Sequence, residues 1–445
     1  MRTRLTTPGP TGREAALIMA TLFRDPLEVH VKLAARYGDA VRMAIGPSRS
    51  SFLFSRPEHA EYVFAVNQDN YIKAATYRPL RALIGNGLLT SEGEDWRRHR
   101  RLIQPVFSRR DVIRFGPAMC DATQRMLKGW DEMPPGAVLN VRRQASALAL
   151  DIVGGALFGA DLTGDAEEMA KAMDAGQRIA VLAAFLPLPW GPRSTQAIKI
   201  LARRVGGTKE GVEGMVGRLI ADRRAHRGRD GDLLNVLLTA DLTDAEIGAE
   251  VGTFMLAGHE TTANTLAWSL ALLSAFPSAR ERLEQEIDSV LGGRVPTAGD
   301  ASRLPWTAAV VNEAMRLYPP AWTIERSALA DDTVAGVMVP AGSQVTISTY
   351  LVHRHREFWP DPAGFDPGRF LPGAGDRPRY AYIPFGGGRR ACVGQSFAEL
   401  EAVLVLASIA QRYRLELTVR GIPAPIANVT LRPGQGLPMR LLRRE

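Results

Sequence analysis

The stretch Pro384–Gly394, PFGGGRRACVG, carries Cys392, one of only two cysteines in 445 residues, behind three consecutive glycines and two arginines. Consecutive glycines lift the steric limits on the backbone, so such a loop can pass close to something flat or bulky. The run that follows, QSFAELEAVLVLASIAQRY, has apolar periodicity and reads as a helix starting near Gly394. A thiol just ahead of a helix start is favoured as a thiolate by the partial positive charge and free amide donors there, which suits a metal ligand. An inert buried cysteine in a glycine turn is the plainer reading. It leaves Arg389 and Arg390, set beside the thiol, unexplained.

Three further stretches carry chemistry. In LTDAEIGAEVGTFMLAGHETTANTLAWSLALLSAFP, Thr243 and Glu246 form a capping box and Pro277 supplies a stop. The helix between them is expected to run about 33 residues, or about 50 Å. At its middle Ala257 and Thr261 of AGHETT share a face one turn apart. A threonine hydroxyl can bond the carbonyl four residues back and open the helix, and Gly258 weakens the same spot, so a kinked, wet centre is expected where a small ligand could sit. A core helix with one polar turn toward solvent is the alternative. His259, Glu260 and His226 show no HxxxH or HExxH spacing for a metal. In LPWTAAVVNEAMRLYPPAW, Glu313 and Arg316 form an i, i+3 pair among apolar neighbours, ended by Pro319 and Pro320, which predicts a buried and therefore fully satisfied pair. In GLLTSEGEDWRRHRRLIQPVF, Trp96 and Arg100 point the same way from a helix, with Arg97, Arg98 and Arg101 around them. By itself that is a solvated arginine face.

Together these stretches resemble the cytochrome P450 family, in the family's order and over essentially the whole chain. PFGGGRRACVG is similar to its haem-binding loop and AGHETT to its oxygen-activating turn. Glu313 and Arg316 resemble its ExxR motif, completed by Arg369 of FDPGRF, and Trp96 with Arg100 its WxxxR helix. The resemblance implies a mostly α fold with a small β-rich lobe, residues 1–445 forming one haem-binding monooxygenase domain, and heme b as cofactor. It implies Cys392 as the axial thiolate, whose electron donation favours O–O cleavage, with Phe385 packed near the sulfur. Arg390, Trp96, Arg100 and Arg326 would contact the haem propionates. Ala257 and Gly258 would line the oxygen groove, and Glu260 with Thr261 would relay protons. Glu313, Arg316 and Arg369 would be structural, and His259 has no assigned role.

The pocket is expected from Tyr71–Leu89, Ile179–Leu188, Ala257, Ala321–Ile324 and Ile426–Val429, with a roof over Ile179–Arg204, for a small apolar substrate such as a terpenoid, fatty acid or polyketide. Because the family's haem domain uses the whole length, electrons are expected from a ferredoxin or flavodoxin with its NAD(P)H reductase, docking at Arg97, Arg98, Arg101 and Arg389. The rivals are a haem-thiolate isomerase, dehydratase or peroxide-using enzyme, disfavoured by the intact Glu260–Thr261 pair, and a haem gas sensor, for which no signalling domain is attached.

The totals agree. At 46% hydrophobic the chain can bury a large core, and it shows no linker or repeat. Its charge of +8 rests on arginine, with only six lysines and no basic run interleaved with aromatics, which excludes a nucleic-acid surface. Cys120 and Cys392 lie far apart, which argues for a reducing compartment and a plain role for Cys120. The apolar runs Ala15–Phe23 and Ile179–Trp190 are too short to span a bilayer, and no cleavage site follows the first. A monomer in a bacterial cytoplasm, without a membrane anchor, is expected. Alternation at Val41, Met43 and Ile45 before SFLFS predicts an antiparallel pair, Pro57–Val66 a short helix, Ala145–Phe158 a core helix, Val345–Val352 a strand, and Ile422–Leu441 a hairpin that returns to the pocket.

Overall fold

The computed structural model describes residues 7–22, 24–45, 49–162, 164, 166–184, 192–206, 211–226 and 231–444. The predicted pocket residues 185–188 and the rest of the loop to 191 lie outside the described residues.

A single helix, Asp244–Ala275, spans 32 residues and about 48 Å. Both halves of the capping box at Thr243 and Glu246 are formed, and Phe276 ends the helix ahead of Pro277. The expected opening at its middle does not occur: the helix is continuous through Gly258. The glycine has a packing role instead, since a Cβ there would lie 2.7 Å from Val153 Cγ2 of the neighbouring helix Val141–Leu157. That helix is buried along most of its length, as its apolar spacing predicts. The helix Gln395–Arg412 packs on the other side and is sealed from Phe397 to Ala410 over most of its turns.

The β-rich lobe holds a five-stranded sheet in the spatial order Ala40–Ile45, Arg49–Phe54, Gln344–Ile347, Ile324–Ala328, Tyr71–Lys73. The first two strands pair antiparallel with Met43 opposite Ser51, and the second pairs parallel with Gln344–Ile347. The strand expected over Val345–Val352 stops at Ile347, because Ser348 caps a short helical turn, Thr349–Val352. Pro57–Glu61 is α-helical and passes into a π-turn, Tyr62–Val66. Near the C-terminus Pro425–Ala427 and Leu431–Pro433 form a hairpin, while Pro438–Arg443 pairs with Val138–Asn140 and Tyr413–Leu417. The fold is therefore mostly α with a small β-rich part, as the sequence suggests.

The pair Glu313 and Arg316 is completely buried and two-pronged, at 2.6 and 2.7 Å. Its leftover hydrogen-bonding groups are met locally. Arg316 donates to the carbonyls of His353, Pro362 and Gly364, and Glu313 accepts from the Asp366 amide at 2.9 Å. Arg369 approaches Glu313 Oε1 at 3.4 Å and donates to the Asp361 carbonyl. A buried pair costs stability unless every lone pair and proton is satisfied; here the meander that leads to the cysteine loop supplies those partners.

Candidate functional site

The long helix and the cysteine loop enclose a mostly apolar cavity of about 360 Å³. From one side it is lined by Leu256, Ala257, Gly258, Glu260, Thr261 and Thr265, and from the other by Phe385, Cys392, Phe397 and Ala398. Thr261 Oγ1 donates to the Ala257 carbonyl at 2.6 Å, and Thr265 and Ser269 repeat the pattern at each following turn. Ala257 and Thr261 thus share the cavity face, as their spacing predicts.

Close approach in the glycine loop is to the chain's own backbone. Gly388 has φ +64°, and a Cβ on it would meet the Phe64 carbonyl oxygen at 1.6 Å; one on Gly387 would meet the Tyr380 ring at 2.6 Å. The loop is therefore clamped on the π-turn behind it, with Gly386 on the cavity side. The Cys392 amide closes the loop by donating to the Phe385 carbonyl at 2.9 Å, and Arg100 donates to the Ala391 carbonyl at 2.9 Å. Cys392 is open to the cavity yet surrounded by protein. Burial accordingly pushes its thiol up, while the Gly394 amide and Arg100 pull the other way. The helix start does not by itself offset burial at the thiol. A metal cation at the sulfur would.

Cations gather along the cysteine side of the cavity. Lys73, Arg100, Arg326 and Arg390 all line it. Arg390 lies 4.1 Å above the Trp96 ring, donates to the Ser91 carbonyl at 2.9 Å and pairs with Glu92, yet its Nη1 is buried without a partner. Burial, with Arg326 nearby, lowers Arg390 to about 10. Lys73, inside the expected pocket range Tyr71–Leu89, is pushed well down by burial and then by Arg326 and Arg390. Arg326 donates to its neighbour's carbonyl and sits 5.4 Å from the Phe64 ring. Each sequence-predicted site residue, Cys392, Phe385, Arg390, Trp96, Arg100, Arg326, Ala257, Glu260 and Thr261, reaches this one cavity.

Other expectations are corrected. Ile426 points outward at 44% exposure, Trp322 is buried behind the wall and donates to the Asn428 carbonyl, and Ile179 packs against Ala82, Ala183 and Ile198. Val429, of the same expected range as Ile426, does line the cavity, and the places of the others are taken by Thr430 and Gln177. Thr430 is fixed by the buried Asn264 amide of the long helix at 3.2 Å, which brings the hairpin back to the cavity. The arginine face is also mostly committed. Arg97 pairs with Glu94, Arg389 with Asp69, and Arg98 with Glu246 and the Asp241 carbonyl. Among the described residues Arg101 alone of the four is exposed without an ion pair.

A flat apolar group that carries two carboxylates fits these residues. The walls are apolar, a sulfur ligand opens onto the cavity, and a buried guanidinium nitrogen lacks an acceptor among four clustered cations. Such a fold and site define a haem-dependent oxygenase. A family profile described as Cytochrome P450 matches residues 8–436. Among curated relatives, cyclooctat-9-en-7-ol 5-monooxygenase of Streptomyces melanosporofaciens is 34% identical over 88% of this chain and 86% of its own. Cyclooctatin synthase of the same organism is 34% identical over 96% and 92%, and pentalenene oxygenase of Streptomyces avermitilis 33% identical over 95% and 94%. The chain belongs to the cytochrome P450 family, and it is a monooxygenase that uses haem. Among the described residues no helix is long and apolar enough to cross a membrane.

Proposed function

We propose that residues 1–445 form one unit that holds a b-type haem and inserts one oxygen atom of O2 into a C–H bond, or a double bond, of a small terpenoid. The observation that carries the reading is a free sulfur, Cys392, opening onto an apolar cavity rimmed by Lys73, Arg100, Arg326 and Arg390. Cys392 would ligate the iron, and the four cations with Trp96 would hold the propionates. Bound haem supplies the redox activation of dioxygen. For hydroxylation, one C–H bond becomes C–OH, the other oxygen atom leaves as water, and two electrons and two protons are consumed.

The chain's own groups perform the remaining work. The apolar wall excludes water and orients the substrate. Thr261 holds a hydroxyl on the cavity face of the long helix, and Glu260, in the next position, is the buried acid that exchanges protons with it. The terpenoid class is favoured because relatives spanning nearly the whole chain are named for cyclooctat-9-en-7-ol and pentalenene. Electrons would come from a ferredoxin or flavodoxin with its NAD(P)H reductase. Arg101 is the free cation of the docking face, and the protein would act as a cytoplasmic monomer.

The optical difference spectrum of dithionite-reduced protein with and without carbon monoxide tests this reading. A strongly red-shifted Soret band that is lost in Cys392→Ala is expected. An unshifted band, or protein that takes up no haem, overturns it.

A further inference from the structure

Glu260 is 6% exposed, and its carboxylate meets one partner among the described residues. That partner is Gln177, itself 4% exposed, whose Nε2 donates to Glu260 Oε2 from the helix Ala166–Ala184, 83 positions earlier in the chain. The other carboxylate oxygen, Oε1, is buried with no partner. Both side chains line the cavity. One turn before Gln177, Asp174 bonds Arg432 of the terminal hairpin at 2.6 Å. The same helix is therefore tied to the hairpin by an ion pair and to the long helix by the amide.

From this geometry we infer that Gln177 is a positioning residue for Glu260, so that the acid of the proton path is aimed only while the Ala166–Ala184 helix is seated on the cavity. The inference rests on the reading of Glu260 as the proton-exchanging acid. An isolated carboxylate oxygen in an apolar wall is costly. One charge-assisted hydrogen bond fixes the rotamer and leaves the second oxygen free to exchange a proton with the Thr261 side. A carboxylate held by two or three donors would be locked as an acceptor and would not do so. The amide is neutral and carries no titratable proton, so it orients the acid without competing for its proton.

The experiment is a double-mutant cycle on the haem-loaded enzyme with Gln177→Met, which keeps the length of the side chain and removes the donor, Glu260→Gln, and the pair together. Product formed per NAD(P)H consumed, peroxide released and substrate affinity by spin-state titration are measured for each. Gln177→Met is expected to lower product yield about tenfold, as loss of one hydrogen bond to a charged group does, to raise peroxide, and to leave substrate affinity unchanged. Adding it to Glu260→Gln should change nothing further. Gln177→Asn, which keeps a neutral amide donor on a shorter side chain, should retain more of the wild-type yield than Gln177→Met. A readout independent of turnover is the infrared carboxyl band of Glu260, identified by its absence in Glu260→Gln, which should move in Gln177→Met and remains readable if that variant turns over too slowly to assay. Additive losses, a loss confined to substrate affinity, or an unmoved band overturn the inference while the role of Glu260 stands. A silent Glu260→Gln removes that role and the inference with it.

Discussion

The wall that carries Cys392 brings four cations to the cavity, Lys73, Arg100, Arg326 and Arg390, whereas the wall made by the long helix brings one acid, Glu260, and a row of threonine hydroxyls. The first wall is built from a loop, strands and the helix Gly93–Ile103, which are distant in sequence, and its cations crowd until burial and mutual repulsion lower Lys73 and Arg390. Such an arrangement is stable only opposite anions. The second wall is one continuous helix whose threonine hydroxyls bond its own carbonyls, and whose one acid is held by Gln177 of a neighbouring helix with its second oxygen unpartnered. Under the proposed function this difference would give retention of the prosthetic group to one wall and proton handling to the other.

The sharpest way to break this division is to mutate each wall and read both properties. Arg326→Leu combined with Arg390→Leu should speed transfer of haem to an excess of apomyoglobin by about a hundredfold, since each charge-assisted pair contributes about tenfold, while leaving product per reductant in the loaded fraction near wild type. Thr261→Ala should do the reverse, with haem held normally and product yield down by about tenfold. Uncoupling in the arginine variants without haem loss would dissolve the distinction.

A smaller effect separates the walls by acid sensitivity. His259 of the long helix bonds Ser146 of the helix Val141–Leu157 at 2.5 Å and is lowered by burial to about 4. The unfolded chain binds that proton near the ordinary value of 6.5, so stability is present above pH 6.5 and is lost as pH falls toward 4. The depression corresponds to about 3 kcal/mol at most. His259→Asn should therefore flatten the fall of Tm between pH 6.5 and 4 and leave the slope above pH 7 unchanged; a fall as steep as wild type would contradict it. Smallest of all, Arg101→Glu on the cysteine side should slow reduction by a ferredoxin about threefold at low salt, with the difference gone at high salt. Equal rates at low salt would move the docking face elsewhere. Arg98→Glu is unsuited to this test, because Arg98 holds Glu246 at the start of the long helix.

How much of the site was legible depended on how far apart its pieces are. Glu313 and Arg316 could be paired on paper because three residues of helix set their separation, and Thr261 could be placed over Ala257 for the same reason. Gln177 could not be placed, because an amide in an ordinary amphipathic helix looks the same whether it faces solvent or a buried acid 83 residues on. Lys73 fell within the expected pocket range but with no charge role there, since only Arg326 and Arg390, brought beside it by folding, make it part of a cation cluster. Gly258 was read as a weak point because propensity is local, whereas its reason is the Val153 side chain of another helix.

Local spacing and chemistry by themselves determined the long helix with its capping box and the buried Glu313–Arg316 pair, since each depends on residues a few positions apart, and the haem-dependent class came from the family that the four local motifs together resemble. Tertiary structure alone decided which cations share the cavity, which arginines are already spent on Glu94, Asp69 and Glu246, and which side chain orients Glu260. Those are long-range contacts, and a polar side chain's role is fixed by what packing places within hydrogen-bond distance of it.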